Sequence, residues 1–244
     1  MREVAYHCIQ NKISKRELRA GEPVSDVAIS KELGISRTPA REAIRQLVSD
    51  GLLESVAGRG VVVITLDRED IRELFELREA LESLAARTIA ARTPSPGEMR
   101  DLRSVASALT SLIKELEGIR KEVLDEKQME RFEVADLAFH TYIVKLAGNK
   151  RNLRTLAGIR LLIRIFAARR GGHSLPILKQ INRDHLDLIA AIQAGDHQAA
   201  VECVHRHIAK SQKSRLEEFD QREREAALPQ DVEAFMAQIR AELS

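Results

Sequence analysis

The chain has 244 residues, which is long enough for two domains that each bury a hydrophobic core. Apolar residues make up 44 % and charged residues 31 %, and the scarcity of aromatic residues, at 3 %, favours aliphatic cores between packed helices in a soluble globular protein. No apolar run approaches the roughly eighteen residues of a membrane span, and we expect no signal peptide at the start of the chain.

The net charge of +2 is concentrated at the N-terminal end of the chain. Residues 1–66 hold ten basic and eight acidic residues, whereas the two signs balance in the remainder. So small a surplus is weak evidence for a nucleic-acid partner, and the placement of individual arginines matters more. Cys8 and Cys203 fit neither a metal-binding spacing nor a disulfide framework, which favours a reducing cytoplasm.

The first predicted elements are two helices. Residues 3–19 carry an irregular apolar stripe, and residues 20–23 form a turn. Either Ser25 or Asp26 can cap the second helix. That helix ends at Leu33 and Gly34, because glycine adopts the left-handed conformation that terminates many helices.

A third helix is predicted from about Thr38 to Asp50. Ser36 is a suitable N-cap, and Pro39 lies in the first turn, where its missing N–H does little harm. Gly51 ends the helix. The buried stripe at helical spacing consists of Ala43, Ile44, Leu47 and Val48.

The opposite face of this helix carries hydroxyl groups and arginines, namely Ser36, Arg37, Thr38, Arg41 and Arg45. The arginines recur every four residues and therefore line one side. Arginine can make paired hydrogen bonds to guanine, and hydroxyl groups at a helix N-terminus can hold phosphate. The face therefore predicts insertion into a DNA major groove, and the alternative is a solvated basic surface.

A β-hairpin is predicted next. Residues 52–56 and 61–64 are rich in strand-forming side chains, and residues 57–60 between them form a glycine-bearing turn. Gly58 lets the backbone approach DNA closely, and Arg59 can enter the minor groove or touch a phosphate. The alternative for Arg59 is an exposed turn residue without a DNA contact.

These residues closely resemble the winged helix-turn-helix signature of GntR-type bacterial transcription regulators. The resemblance rests on Gly34-Ile35-Ser36-Arg37-Thr38-Pro39, Arg41-Glu42-Ala43, Leu47 and Asp50-Gly51-Leu52. It implies DNA contacts at Ser36, Arg37, Thr38, Arg41 and Gly58. Some FadR-like members have a further arginine early in the second helix, where this chain has Val27, so their operator sequences cannot be transferred to this chain.

The rest of the chain is predicted to be helical, which makes the fold mainly α: a winged helix-turn-helix domain followed by an antiparallel helical bundle. We expect a DNA-binding domain at 1–66, a helical domain at 67–222 and a C-terminal extension at 223–244. The predicted helices cover residues 68–92, 97–124, 127–147, 149–170, 174–195 and 196–222, with a break at Gly171-Gly172 and a last helix after Pro229.

Four residues of the helical region form a candidate metal site. Asp136 and His140 are four positions apart and share a helical face, and His185 and His207 lie on the apolar stripes of two later helices. Buried together, these groups need a shared partner, and a divalent cation such as Zn²⁺, Ni²⁺ or Mn²⁺ would supply it. Spacing alone leaves open that each histidine is a hydrogen-bonded core residue.

Six helices after a small winged domain resemble the FCD effector domain of the FadR branch. Asp136-Leu-Ala-Phe-His140, followed by His185 and His207, resembles its metal-ligand pattern, which implies a metal site here. Periodicity does not exclude His205, but the family pattern selects His207. The histidines expected at the surface or in loops are His7, His173 and His197.

An effector site is predicted beside the metal. Arg78 lies between Leu74 and Leu81 on an apolar face, so its charge needs an anion there, either a small carboxylate effector or an internal partner. Asn149 and Arg164 are further candidates for effector binding. A helix cap and an interhelical salt bridge, respectively, explain these two nearly as well.

The sequence therefore predicts a DNA-binding transcription regulator, and more specifically a repressor, that responds to a small organic acid. As a homodimer it would place two recognition helices on a palindromic operator in double-stranded DNA. The alternative is a metal-dependent hydrolase with a DNA-binding appendage, although nothing marks a general base such as Glu133 beside the metal. The metal could also be structural, or be the signal itself.

Overall fold

The computed structural model describes the backbone of residues 1–15, 17–166 and 173–226, and the side chains of all of these except 164–166 and 226. Within these ranges the chain forms helices and one two-stranded antiparallel sheet, which confirms the predicted mainly-α fold. The elements in order are α1 (Arg2–Ser14), α2 (Asp26–Leu33), α3 (Arg37–Ser49), β1 (Leu53–Val56), β2 (Gly60–Val63), α4 (Arg68–Arg92), α5 (Pro96–Gly118), α6 (Glu126–Leu146), α7 (Lys150–Phe166), α8 (Leu175–Ala194) and α9 (His197–Ala226).

The N-terminal elements surround one small hydrophobic core. In the hairpin, Leu53 pairs with Val63 and Val56 pairs with Gly60, so both ends of the ladder are in register. The residues that fill this N-terminal core are Ala5, Ile9, Ile13, Val24, Ile29, Ala40, Ala43, Ile44, Leu47, Leu52, Leu53 and Val63. Three helices followed by a hairpin on one core form a winged helix-turn-helix, as the sequence predicts.

The ends of α2 and α3 follow local capping chemistry. The Ser25 side chain accepts a hydrogen bond from the backbone N–H of Ala28 at 3.4 Å, and Gly34 ends α2 with φ of +64°. α3 begins at Arg37, one residue earlier than predicted. Ser36 occupies its N-cap position, but the side chain makes no capping hydrogen bond, so its exposed hydroxyl is not engaged at the start of the helix.

Two helices are shorter than predicted because backbone N–H groups beyond their C-terminal ends make hydrogen bonds that do not continue the helix. α1 ends at Ser14 rather than residue 19, since two later N–H groups donate to the Lys12 carbonyl oxygen at 2.8 and 3.2 Å. α5 ends at Gly118 rather than residue 124. Beyond it, the Leu124 N–H donates to the His173 carbonyl oxygen at 3.0 Å, which holds this part of the chain in a loop.

The six helices from α4 to α9 form a bundle, with α4 packed against α6, α7, α8 and α9. Three of these helices start with reciprocal capping boxes, formed by Asp67 and Asp70, Ser95 and Glu98, and Asp125 and Gln128. The bundle core includes Phe75, Ile89, Leu102, Phe139, Ile143, Leu156, Leu188, Ile192 and Val204. Burial of this apolar core against α4 holds the neighbouring helices in place.

One helix of the bundle also contacts the N-terminal core. Ile159 and Ile163 of α7 lie in the bundle core, whereas Leu161 and Leu162 pack against the N-terminal core. A Cβ atom built on Gly51, just after α3, would stand 4.0 Å from Cδ1 of Leu162. α7 therefore touches both packing units within a single turn.

The predicted break at Gly171-Gly172 and the predicted helix after Pro229 lie outside the described residues. In the parts of the chain that are described, no helix combines the length and the apolar character needed to cross a bilayer.

Candidate DNA-binding face and effector site

The predicted DNA-contacting side chains of α3 share its outer side. The exposed set consists of Ser36, Arg37, Thr38, Arg41 and Arg45. The opposite side of the helix is buried against the N-terminal core. The helix edge that would meet a major groove is therefore open to solvent.

Two of these arginines share one carboxylate from α2. Arg37 Nη2 donates to both oxygens of Asp26 at 3.2 and 3.3 Å, and Arg41 donates to Oδ2 through Nε at 3.1 Å and Nη2 at 2.9 Å. The hydrogen bond from Arg41, together with that from Arg37, outweighs partial burial and lowers the pKa of Asp26. The arginine side chains remain 58 % and 54 % exposed. Asp26 therefore orients the two guanidinium groups without covering them.

The hairpin turn presents the other two predicted contacts. Gly58 is exposed with φ of +75°, a conformation that favours glycine, and a Cβ there would meet no described atom within 4 Å. Arg59 is also exposed, and its Nη2 donates to the carbonyl oxygen of Gly21 at 3.4 Å. The hairpin turn therefore exposes the backbone at Gly58 and a guanidinium group at Arg59 that is hydrogen-bonded to Gly21.

The four predicted metal ligands come together between α6, α8 and α9. One nitrogen or oxygen from each of Asp136, His140, His185 and His207 lies within 4.8 Å of all the others. His140 Nε2 is 3.3 Å from His185 Nε2, and both nitrogens face Asp136 Oδ1, at 3.4 and 3.5 Å. Ligand atoms bound to one ion at about 2.0–2.2 Å lie roughly 3–4.4 Å apart, so this donor set fits a divalent metal after a small contraction.

Two buried charged residues that the sequence analysis missed hold this cluster in place. Glu82 Oε2 lies 2.5 Å from His140 Nδ1, and Glu82 Oε1 accepts hydrogen bonds from Arg78 Nε at 2.7 Å and Arg160 Nη1 at 3.4 Å. Arg160 Nη2 donates to Asp136 Oδ2 at 2.6 Å. In the neutral tautomer whose Nδ1 donates to Glu82, His140 keeps a lone pair on Nε2, the nitrogen that faces the cluster and lies 3.4 Å from Arg78 Nη2. Asp136 likewise keeps Oδ1 for the imidazoles.

Both carboxylates of this network stay ionised. Burial alone would raise the pKa of Glu82, but Arg78 and His140 outweigh it and hold the pKa well below its ordinary value. Burial is likewise outweighed at Asp136, where His140 and Arg160 hold the pKa well below its ordinary value. The arrangement is a charge-compensated core in which each anion faces several cationic or proton-donating groups.

A third missed residue, Asp184, lies behind His207. Its Oδ2 is 3.8 Å from His207 Nδ1, and it accepts hydrogen bonds from Lys210 at 3.1 Å and Gln180 at 3.0 Å. Burial lowers the pKa of His207, and burial lowers the pKa of His185 to about 3. Both imidazoles are therefore neutral near pH 7, which is the form that binds metal.

The structure shows which of the remaining histidines lie near the cluster. The His205 side chain is 64 % exposed and its Nδ1 lies 2.8 Å from Glu79 Oε1, so it faces away from the cluster, while His207 is buried within it. His173 lies in a loop, which is one of the two positions expected for it, but it is not at the surface. Its side chain is buried and contacts the Phe132 ring edge-on, with centroids 4.8 Å apart. A loop position carries no periodicity that could have revealed this burial.

A cavity of about 300 Å³ opens beside the cluster. Asp136, His207, Arg78 and Arg160 contribute to its lining, together with apolar side chains from α4, α6, α7 and α8. The volume lies at the lower end of small-molecule sites, which run from roughly 300 to 1,000 Å³. The cluster and two guanidinium groups therefore face a space large enough for a small organic anion.

The three predicted effector-binding residues have different positions. Arg78 is buried and pairs with Glu82, which is the internal partner considered for it; it also lines the cavity, and its contact with a carboxylate effector stays a prediction. The Asn149 side chain accepts hydrogen bonds from the N–H groups of Arg151 and Asn152, both at 3.1 Å, and caps α7 outside the cavity lining. The Arg164 side chain lies outside the described residues.

Comparison with known families accounts for both halves of the chain. Residues 1–63 match the family described as bacterial regulatory proteins, gntR family, and residues 73–210 match the FCD domain. The two matches together span most of the chain. The chain belongs to the GntR family.

Named relatives of this GntR-family chain are regulators. A protein of Paenarthrobacter nicotinovorans described as "Probable D-xylose utilization operon transcriptional repressor" is 30 % identical over 198 residues, covering 81 % of each chain. The HTH-type transcriptional repressor GlaR of Escherichia coli K12 is 25 % identical over 206 residues, covering 83 % of this chain and 90 % of that one. The protein is therefore a transcription regulator of the GntR type with an FCD domain, and not an enzyme. The hydrolase alternative is overturned.

Solved structures agree on the fold. McbR/YncC of E. coli superposes with a TM-score of 0.69 at 16 % identity, over 89 % of this chain and 98 % of that one. At this identity the likeness supports the shared architecture of a winged domain and a helical bundle, and nothing finer.

Proposed function

We propose that this regulator is a repressor that binds operator DNA through the outer face of α3 and responds to a small carboxylic acid held beside a divalent metal. The observation that supports binding of a small carboxylic acid is the cavity beside the cluster. It brings the Asp136 and His207 ends of the cluster and the guanidinium groups of Arg78 and Arg160 to one space. Such convergent polar groups in a concave site are typical of small-anion recognition.

The DNA half of the proposal rests on α3 and the wing. Arg37, Arg41 and Arg45 are exposed along one edge, and the free hydroxyl of Ser36 stands at the helix N-terminus. In a major groove the arginines would contact guanine edges while the hydroxyl and helix end contact phosphate. Thr38, Gly58 and Arg59 would add contacts to the backbone of the duplex.

We propose a homodimer on a palindromic site. Leu77 and Leu84 lie seven residues apart on α4 and are 53 % and 47 % exposed, so they form an apolar stripe on one side of the bundle. A two-fold symmetric pair would cover this stripe and space two copies of α3 along one face of the duplex. The natural setting for such a protein is the cytoplasm, where the DNA is.

The proposed metal ligands are Asp136, His140, His185 and His207. Three imidazoles and one carboxylate suit Zn²⁺, Ni²⁺ or Mn²⁺. A bound ion would supply positive charge and an open coordination position for an oxygen of the effector. Glu82 and Arg160 keep the ligands oriented from behind, by holding the far side of His140 and of Asp136.

α7 provides the proposed link between effector and DNA. Arg160 lies at the cavity, and the next two residues, Leu161 and Leu162, pack against the N-terminal core. An acid that draws Arg160 away from Asp136 would shift α7 and the winged domain with it. A shift in the relative position of two winged domains changes their fit to two successive major grooves.

The test is equilibrium binding of the purified protein to fluorescent DNA from upstream of its own gene. We expect affinity that falls with salt, a change in affinity on addition of small carboxylic acids, and loss of that change after treatment with a chelator. Binding that is absent or independent of salt would contradict the DNA half. If the chelator unfolds the protein, the metal is structural. If metal alone changes DNA affinity, the metal is the signal.

A further inference from the structure

The cavity beside the cluster is elongated. Three helices line it with residues of a single face each, at successive turns: Phe132, Glu133, Asp136 and Leu137 of α6, Ile177, Gln180, Ile181 and Asp184 of α8, and His207, Lys210, Ser211 and Ser214 of α9. On α6 and α8 the lining extends from the cluster toward the N-terminal end of the helix. On α9 it extends toward the C-terminal end.

The length of the cavity follows from helix geometry. His207 and Ser214 are seven positions apart, so they lie about 10 Å apart along the axis of α9. His185 and Ile177 are eight positions apart, which is about 12 Å along α8. Because both residues far from the cluster line the same cavity, its long dimension is set by these two spans. Acetate or lactate would fill only the end next to the cluster.

Beyond the cluster, the apolar side chains that line the cavity are Phe132, Leu137, Ile177 and Ile181. The same walls also carry the polar side chains of Gln180, Ser211 and Ser214. The charged wall residues have partners within the protein: Lys210 Nζ lies 3.1 Å from both oxygens of Asp184, and Arg215 lies 3.2 Å from Glu218. Each of these two cations is thus held by a neighbouring carboxylate, and its aliphatic stem adds apolar surface to the cavity wall.

We infer that the effector is a carboxylic acid with an extended apolar body, of a length near that of hexanoate or phenylpropionate, rather than a short hydroxy acid or a sugar acid. The inference rests on the proposed function, since it places the carboxylate at Arg78, Arg160 and the cluster. The body then runs along α6, α8 and α9 as far as Ser214. Each methylene buried there strengthens binding by about fourfold.

The experiment measures the acid-dependent rise in melting temperature of the full chain, with its metal content determined beforehand, and converts it into apparent Kd values. Hexanoate, gluconate and adipate share six carbons and differ in hydroxyl groups and in the second carboxylate. Acetate tests the cluster end alone. We expect hexanoate to bind at least roughly tenfold more tightly than each of the other three.

Two variants locate the body of the acid. Ser214→Phe fills the far end of the cavity, and Lys213→Phe adds the same ring to the exposed side of the same helix. We expect Ser214→Phe to abolish the advantage of hexanoate over acetate while leaving acetate binding within about twofold, and Lys213→Phe to change neither.

The outcomes separate this inference from the proposed function. Acetate, gluconate or adipate binding as tightly as hexanoate would overturn the inference and leave an acid-responsive regulator. Equal loss of acetate and hexanoate in Ser214→Phe would also overturn it. No stabilisation by any of the four acids would contradict the proposed acid response itself.

Discussion

Glu82 is the residue on which the effector site depends most. It is buried, and it accepts hydrogen bonds from Arg78 and Arg160 while its second oxygen lies 2.5 Å from His140 Nδ1. Glu82→Gln keeps the shape of the side chain and removes the charge. The buried guanidinium group of Arg78 would then lose its carboxylate partner, while Arg160 would keep its pair with Asp136.

The expected loss of stability in Glu82→Gln follows from that charge imbalance. Removing one partner from a buried ion network costs about 3–5 kcal/mol, because the remaining charges stay desolvated. In a chain of roughly 150–250 residues each kcal/mol lowers the melting temperature by about 2–4 °C, so Glu82→Gln should melt roughly 6–20 °C lower in chelated buffer at pH 7. The control Glu79→Gln lies on the same helix and loses only its pair with the exposed His205. It should cost less than about 1 kcal/mol.

A second readout separates the site from general stability. The side-chain amide introduced by Glu82→Gln would donate to His140 Nδ1 and so place the ring proton on Nε2, the atom that faces the cluster. Metal affinity, measured against a chromogenic chelator below the melting temperature, should fall about 10–100-fold in Glu82→Gln and stay unchanged in Glu79→Gln. Equal melting temperatures and equal metal affinities in the two variants would refute the role assigned to Glu82.

Three further predictions concern other parts of the chain. Hydrogen bonds from Arg92 and Ser95 lower the pKa of Glu98 to about 2. The ionised Glu98 therefore stabilises the fold above its unfolded pKa, and this stabilisation is lost as the pH falls toward 2. The difference in melting temperature between wild type and Glu98→Gln should accordingly become smaller between about pH 5 and about pH 3. His207→Ala should weaken metal binding by at least roughly tenfold in the chelator competition, whereas His205→Ala should leave it unchanged. Leu162→Ala should keep acid binding, measured by thermal shift, while reducing the effect of acid on DNA affinity; an unchanged effect would exclude α7 as the link.

The sequence was most informative where local chemistry decides the structure. Gly34, Ser36 and Gly51 bracket α3, and helical spacing placed its arginines on one exposed side. The four candidate ligands could be predicted because each histidine interrupts an apolar stripe, and such a stripe must face a core. The choice of His207 over His205 came from the family pattern, and the burial of the two side chains agrees with it.

The rest depends on contacts between distant segments. Glu82 is four residues after Arg78, a spacing that permits an ion pair along one helix, but nothing local showed that His140 and Arg160 would meet it from α6 and α7. Arg160 stands beside Ile159 on α7, where a charge usually marks the solvent boundary of a helix. The pairing of Asp26 with two arginines likewise joins two helices, and helical periodicity reports only on one helix at a time.

The most direct test of the central claim compares two arginine variants in DNA binding. Arg41→Ala removes an exposed guanidinium group from α3, and Arg87→Ala removes one from the exposed side of α4 in the bundle. By fluorescence anisotropy with the upstream DNA fragment, we expect Arg41→Ala to weaken specific binding by roughly fivefold to 150-fold, as for loss of a base contact, and Arg87→Ala to bind like wild type. Equal effects of the two substitutions, or none from Arg41→Ala, would contradict recognition of DNA through α3.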